Sequence, residues 1–240
     1  MTGQLFEPTA GGGLGFCHDA MPGLLPAGYH GPLVVAIDSN VLIDLYEFGT
    51  RMVEDSLPEP PEVPASRAGE LEAIASILDL WLIRDIRLVT TPRILTDAKA
   101  NPSRLARRRQ DIEHLARALA FQLEDWEEPF PLKAPEPSSP PTVIGARGEA
   151  DRQLVEEAAA IGAHVFLTQD KRLRRPVSIP DAATQVLYPS ELAATLAGAR
   201  VTHFFGGICG GSDCPYPDFS MPAPDLGRYV LLGLFAPAPA

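Results

Sequence analysis

Basic residues are scarce. Twenty Lys and Arg stand against 31 Asp and Glu, a formal charge of −11 over 240 residues. That balance excludes a protein that coats nucleic acid indiscriminately, while a local basic track stays open. No Lys or Arg precedes Arg51, so the basic start of a secretory signal is missing. No apolar run approaches the ~20 residues of a membrane span, and the Tyr229–Ala240 stretch is short and broken by prolines. Cysteine is rare and odd in number (Cys17, Cys209 and Cys214), which argues against a disulfide-stapled secreted scaffold. These absences predict a soluble, cytoplasmic protein with no membrane partner. No internal repeat is found.

Hydrophobic residues make up 45% of the chain and charged residues 21%, enough to build a core. Pro (25) and Gly (20) are abundant, so long irregular segments are expected beside it. Residues 1–30 are Gly/Pro-rich without periodicity and read as an extended N-terminal arm. Leu33–Ile37 is apolar on both faces, which suits a central parallel strand. It ends at Asp38-Ser39-Asn40, three helix-capping types, and a helix starts at Val41. A solvated Pro/Glu loop spans about Ser56 to Ala65, and apolar spacing predicts an amphipathic helix over roughly 67–83. Ile86–Thr90 reads as a strand, with helices opening at Thr91-Pro92 and at Asn101, the second running to about Asp125.

Six prolines between Pro129 and Pro141 mark a linker or long loop. A helix follows from about Gly148 to Ile161, with Gly162 as its C-terminal cap. His164–Thr168 is a second buried strand, Gln185–Leu187 a third short one, and Ser190 is placed to cap a last helix, Glu191–Leu196. Strands alternating with helices predict an α/β fold with a mostly parallel sheet over residues 31–198. Residues 199–240 are a Gly/Pro-rich tail that does not fit the alternation.

In open parallel sheets, ligands bind outside the carboxyl ends of the strands. Asp38 and Asp170 each follow a strand run, Asp97 lies on the helix after Ile86–Thr90, and Asp151 begins the helix leading into Val165–Leu167, with Glu149 two residues earlier. Carboxylates converging on one rim repel by several kcal/mol in a partly desolvated cleft. Oxygen donors without His or Cys select a hard divalent cation, Mg²⁺ or Mn²⁺, whose natural partner is a phosphate. Each acid also has a plain structural use: Asp38 as a helix cap, Asp97 as a first-turn acid, Asp151 as an ordinary surface helix acid, Asp170 as a turn cap.

Ala36-Ile37-Asp38-Ser39-Asn40-Val41-Leu42-Ile43-Asp44 resembles the opening motif of PIN-domain nucleases. Glu149-Ala150-Asp151-Arg152-Gln153-Leu154 and Val165-Phe166-Leu167-Thr168-Gln169-Asp170-Lys171 resemble the second half of that family, and the likeness covers about residues 33–198. The resemblance implies a three-layer α/β/α sandwich and Mg²⁺/Mn²⁺-dependent cleavage of a phosphodiester, most often in single-stranded RNA. By position, Asp38, Asp151 and Asp170 match the family's metal-binding, catalytic acids. Asp97 stands where the family usually has Glu, one methylene shorter. Ser39 and Thr168 match supporting hydroxyls, with Asn40 and Glu149 beside the matching acids. Asp44 is read as structural or supporting.

Two basic blocks, Arg93–Arg117 and Lys171–Arg175, hold eleven of the twenty basic residues. Within them Arg104, Arg108, Lys171, Arg172, Arg174 and Arg175 are the candidates for substrate phosphate, although solvated helix faces use the same residues. Cys209 and Cys214, with His203, Cys17 and His18, admit a zinc site, but no second close pair supports it. The rival readings are a PIN-like RNA-binding or regulatory module without catalysis, and a phosphatase using Asp38 as nucleophile. The phosphatase chemistry usually wants a second Asp where Asn40 stands. The family also contains toxins neutralised by an antitoxin, generally shorter chains, so such a partner stays open, as does a homo-oligomer.

Overall fold

The computed structural model describes residues 15–81, 84–91, 93, 111–112, 115, 148–173, 184–201, 232 and 235. In chain order the elements are β1 (Phe16–Cys17), β2 (His30–Gly31), β3 (Leu33–Ile37), α1 (Ser39–Val53) and α2 (Ala65–Trp81). There follow β4 (Ile86–Val89), α3 (Glu149–Ala160), β5 (Val165–Leu167), β6 (Gln185–Leu187) and α4 (Pro189–Gly198). The isolated positions 93, 111, 112, 115, 232 and 235 are helical as well. Among the described residues no helix is long and apolar enough to cross a membrane.

Four strands form one sheet in the order β4-β3-β5-β6, each neighbouring pair parallel. Val35 lies opposite both Leu88 and Val165, and Ile37 opposite Leu167. Every residue of β3, β4 and β5 is buried. Successive side chains point to opposite faces of a strand, so both faces of this sheet are covered. The unbroken Leu33–Ile37 and Val165–Leu167 runs are the sequence form of that double burial. The first strand of the sheet in the chain, β3, has its successor β4 on one side and β5 with β6 on the other. The strand order therefore reverses between β3 and β5, which opens a crevice at their carboxyl ends.

Helix α1 buries Val41, Leu42, Leu45, Met52 and Val53 and packs against α2, which in turn packs against α4. Leu42 is fully buried, and cutting it to Ala would cost about 2–5 kcal/mol. Three helices end on a residue in the left-handed region: Asp55 (φ 53°) after α1, Gly162 (φ 73°) after α3 and Arg200 (φ 58°) after α4. After α3 the Gly162 N–H donates to the Ala159 carbonyl at 2.9 Å and the Ala163 N–H to that of Ala158 at 3.0 Å. The Arg200 and Val201 amides close α4 in the same way on Ala197 and Leu196, at 2.9 and 3.0 Å. This pattern satisfies carbonyls left over at a helix end, and Gly adopts it without the Cβ penalty.

Three expectations need correction. The described part of the N-terminal arm, residues 15–30, is not an extended excursion. β1 and β2 pair antiparallel, and Phe16, Met21, Leu24 and Leu25 are buried in the core. The buried Arg84 guanidinium holds this segment, donating to the Gly15 carbonyl at 2.8 Å and lying 4.6 Å over the Phe16 ring. The last helix starts at Pro189 and Ser190 does not cap it. Instead the Glu191 carboxylate accepts from the Tyr188 N–H at 2.9 Å, and Glu70 of α2 accepts from the Ser190 N–H and hydroxyl at 3.0 and 2.7 Å. The tail is not wholly irregular either: Leu232 and Phe235 are helical, and Phe235 is buried against Gly49 of α1. The helix expected over 101–125, apart from positions 111, 112 and 115, the Pro129–Pro141 segment, Cys209 and Cys214 lie outside the described residues.

Candidate functional site

The crevice between β3 and β5 is where the sheet places its two best-positioned acids. Asp38 directly follows β3, and its N–H donates to the Leu167 carbonyl at 2.9 Å, continuing the β3–β5 ladder by one residue. Two residues, Thr168 and Gln169, separate β5 from Asp170. Its N–H donates to the Thr168 hydroxyl at 3.0 Å, and that hydroxyl donates to Asp38 Oδ2 at 2.7 Å. Thr168, fully buried, thus bridges the two acids.

Asp38 is also the N-cap of α1, as its simpler reading requires. Its Oδ1 accepts the Ser39 N–H at 2.6 Å and the Ser39 hydroxyl at 3.2 Å. A capping oxygen usually takes the amide of the second or third helical residue. Here it takes the first, and Oδ2 is turned toward β5 instead. Asn40 Nδ2 reaches Oδ2 only at 3.5 Å. Burial pushes the Asp38 carboxyl above the usual carboxylate range and the nearby charge of Asp170 adds to the rise, against the lowering effect of the Thr168 and Ser39 hydrogen bonds. Its hydrogen-bond donors among the described residues are all neutral. A buried carboxylate beside a second carboxylate, with only neutral donors, suits a cation bound from outside the chain. The donor set fits a hard divalent ion.

Asp170 begins a short turn beyond β5, close enough for its charge to act on Asp38. Its Oδ1 accepts the Arg172 N–H at 2.8 Å, and Arg172 Nε lies 3.6 Å from the same atom. The turn-capping reading of Asp170 is therefore met as well. Lys171 and Arg172 are exposed at the rim. Asp151 sits in the first turn of α3, half-buried, with its carboxylate folded back toward Gly148. Among the described residues no three His, Cys, Asp or Glu side chains lie close enough together to enclose an ion. The structure brings Asp38 and Asp170 together and leaves Asp151 outside a three-acid set. Asp97, Arg104, Arg108, Arg174 and Arg175 lie outside the described residues.

Glu149 does not support the acids. It is exposed and pairs with Arg152 at 2.6 Å and with Gln153 at 3.0 Å; the Arg152 hydrogen bond holds its carboxyl below the usual range. Two residues missed as site features have long-range roles. Glu157 of α3 accepts the Arg93 N–H at 3.3 Å, which ties the helix bearing Asp151 to the residues that follow β4. Gln169 donates from Nε2 to Asp44 Oδ2 at 2.8 Å. Neither carries a spacing signal, because their partners are 64 and 125 residues away in the chain.

The opposite edge of the sheet is finished differently. His164, buried just before β5, accepts the Val34 N–H on Nδ1 at 3.1 Å, and its ring meets Tyr29 edge-on at 4.5 Å. Burial lowers its pKa to about 4, so it is neutral near pH 7. Asp85 and Arg87 form a buried ion pair there at 3.0 Å. At this edge a buried acid meets a buried base, whereas two like charges meet in the crevice. The chain matches no family model, no curated protein and no solved structure.

Proposed function

We propose that this chain is a PIN-like three-layer α/β/α sandwich that hydrolyses phosphodiester bonds with Mg²⁺ or Mn²⁺, as an endoribonuclease on single-stranded RNA. The observation that carries the reading is the Asp38–Thr168–Asp170 arrangement: a buried carboxylate, its pKa raised, bridged by one hydroxyl to a second acid at the point where the strand order reverses. Asp38 and Asp170 would hold the ion, with Asp97 as a further acid of the set and Asp151 joining it only by turning away from Gly148. When bound, the ion supplies a water of lowered pKa and neutralises charge at phosphorus.

The chain's own groups prepare that site. Thr168 fixes the rotamer of Asp38 from one side, and the Ser39 amide and hydroxyl fix it from the other. The Ile37–Leu167 pairing sets the distance between the two strand ends. Lys171 and Arg172 sit at the rim, exposed, where they offer positive charge to a phosphate that the net charge of −11 would otherwise repel. Arg104, Arg108, Arg174 and Arg175 belong to the same proposal by their place in the basic blocks.

A second reading, an RNA-binding module without catalysis, is favoured by the engagement of Asp170 with Arg172, which gives this acid a structural use. Labelled single-stranded RNA incubated with the protein in Mg²⁺, Mn²⁺ or EDTA separates the two. The nuclease reading expects metal-dependent cleavage that is lost in Asp38→Asn and Asp170→Asn. RNA retained without cleavage in any metal would replace it with the binding module.

A further inference from the structure

Asp44 and Gln169 lie beside the candidate site, and the mechanism just described does not use them. Asp44 is on α1, about 1.7 turns beyond Asp38, and its side chain is only 4% exposed. Its Oδ1 accepts from Arg67 Nη2 at 2.5 Å, and its Oδ2 accepts from Gln169 Nε2 at 2.8 Å. Arg67, on α2, is held in turn by Glu47 at 3.3 Å and lies 5.2 Å over the Phe48 ring. Gln169 stands between Thr168, which is tied to Asp38, and Asp170, the second acid.

Two adjacent side chains of the turn after β5 thus grip two acids of the same helix: Thr168 on Asp38 and Gln169 on Asp44. One attachment alone would let the turn pivot about it; two, a helical turn or more apart, fix its direction. The two oxygens of Asp44 accept both donors at once, and its charge matches the Arg67 guanidinium.

We propose that Gln169 and Asp44 are positioning residues: the Arg67–Asp44–Gln169 chain latches the 168–170 turn to α1 and α2 and keeps Asp170 facing Asp38. The inference rests on the metal reading of the crevice for its consequence, and on the hydrogen bonds alone for the latch itself. Outer partners of metal ligands commonly change affinity 10–100-fold when removed.

The test uses the full chain with Gln169→Leu, which spares the Asp44–Arg67 ion pair and therefore the fold, and Gln169→Lys, which can still donate to Asp44. Two readouts are taken: amide hydrogen exchange of the 168–173 peptide in EDTA, and Mn²⁺ affinity by calorimetry. The latch predicts exchange at least about tenfold faster and Mn²⁺ binding about tenfold weaker in Gln169→Leu, with both restored in Gln169→Lys. Unchanged exchange in Gln169→Leu overturns the latch, whatever the metal does. A loosened turn in a protein whose wild type binds no Mn²⁺ upholds the latch and removes the metal reading instead.

Discussion

At the residue scale, burial sets two protonation states in opposite directions. Asp38 has its carboxyl pKa raised, so the fold binds a proton there more tightly than the unfolded chain does. That contribution to stability is present at low pH and is lost as pH rises through the folded value, above which the buried charge stands uncompensated beside that of Asp170. In EDTA at pH 7, Asp38→Asn should therefore melt above wild type, while added Mn²⁺ should raise the wild-type midpoint and leave the variant unmoved. A variant that melts lower in EDTA, or that gains equally from Mn²⁺, contradicts this. Functional sites commonly hold charges that the fold alone would not choose.

His164 works in the other sense. Its folded pKa, about 4, lies below the ordinary 6.5, so the unfolded chain takes up the proton first. Its contribution is complete above pH 6.5 and is lost as pH falls toward 4, in total roughly 3 kcal/mol. Urea unfolding at pH 7 and pH 4.5 should show a steeper loss in wild type than in His164→Gln. Parallel losses in the two proteins would place the acid sensitivity elsewhere.

At the scale of elements, the left-handed helix ends are the weak points. Arg200 adopts φ 58° where Gly162 closes α3 at φ 73° without a side chain. A non-glycine residue in that region costs roughly 1–2 kcal/mol, and Gly gives part of this back through its freer unfolded state. Arg200→Gly should then stabilise by about 0.5–1 kcal/mol in urea titration, and Asp55→Gly by less, since Asp tolerates the region better. Loss of stability in Arg200→Gly would mean that its side chain matters more than its backbone.

The same scale shows what the sequence makes legible. Leu33–Ile37 and Val165–Leu167 are readable as central strands because a strand covered on both faces must be apolar throughout. Gly162 is readable as a cap because its position needs what only Gly supplies freely. β1 and β2 are not readable, since two-residue strands carry no period and Phe16 is covered by Arg84 and core residues far along the chain. In the candidate site, Asp38 and Asp170 follow from strand ends, whereas Ser39 and Thr168 are reached only through the family resemblance. The Asp44–Gln169 bond does not, because only the folded sheet brings positions 125 residues apart together.

For the whole molecule, the far end of the chain contributes to the packing of its first long helix. A Cβ built on Gly49 would stand 2.6 Å from the Phe235 ring. In a free helix Gly→Ala gains about 1 kcal/mol. Here Gly49→Ala should lose stability instead, by about 1–3 kcal/mol from overpacking. In a Phe235→Ala background the same change should turn stabilising, and the double-mutant cycle would then show coupling between the two positions. Additive effects would mean that residue 235 does not rest on α1.

The sheet, the helices and the latch all converge on one crevice, where Asp38 and Asp170 meet with only neutral donors around the buried acid. Crystals of the full chain soaked in Mn²⁺ and measured for anomalous scattering address that crevice directly. An anomalous peak within coordination distance of both Asp38 and Asp170, absent after an EDTA wash, is the predicted result. Well-ordered Asp38 and Asp170 side chains with no peak between them, Asp170 held only by Arg172, would contradict it.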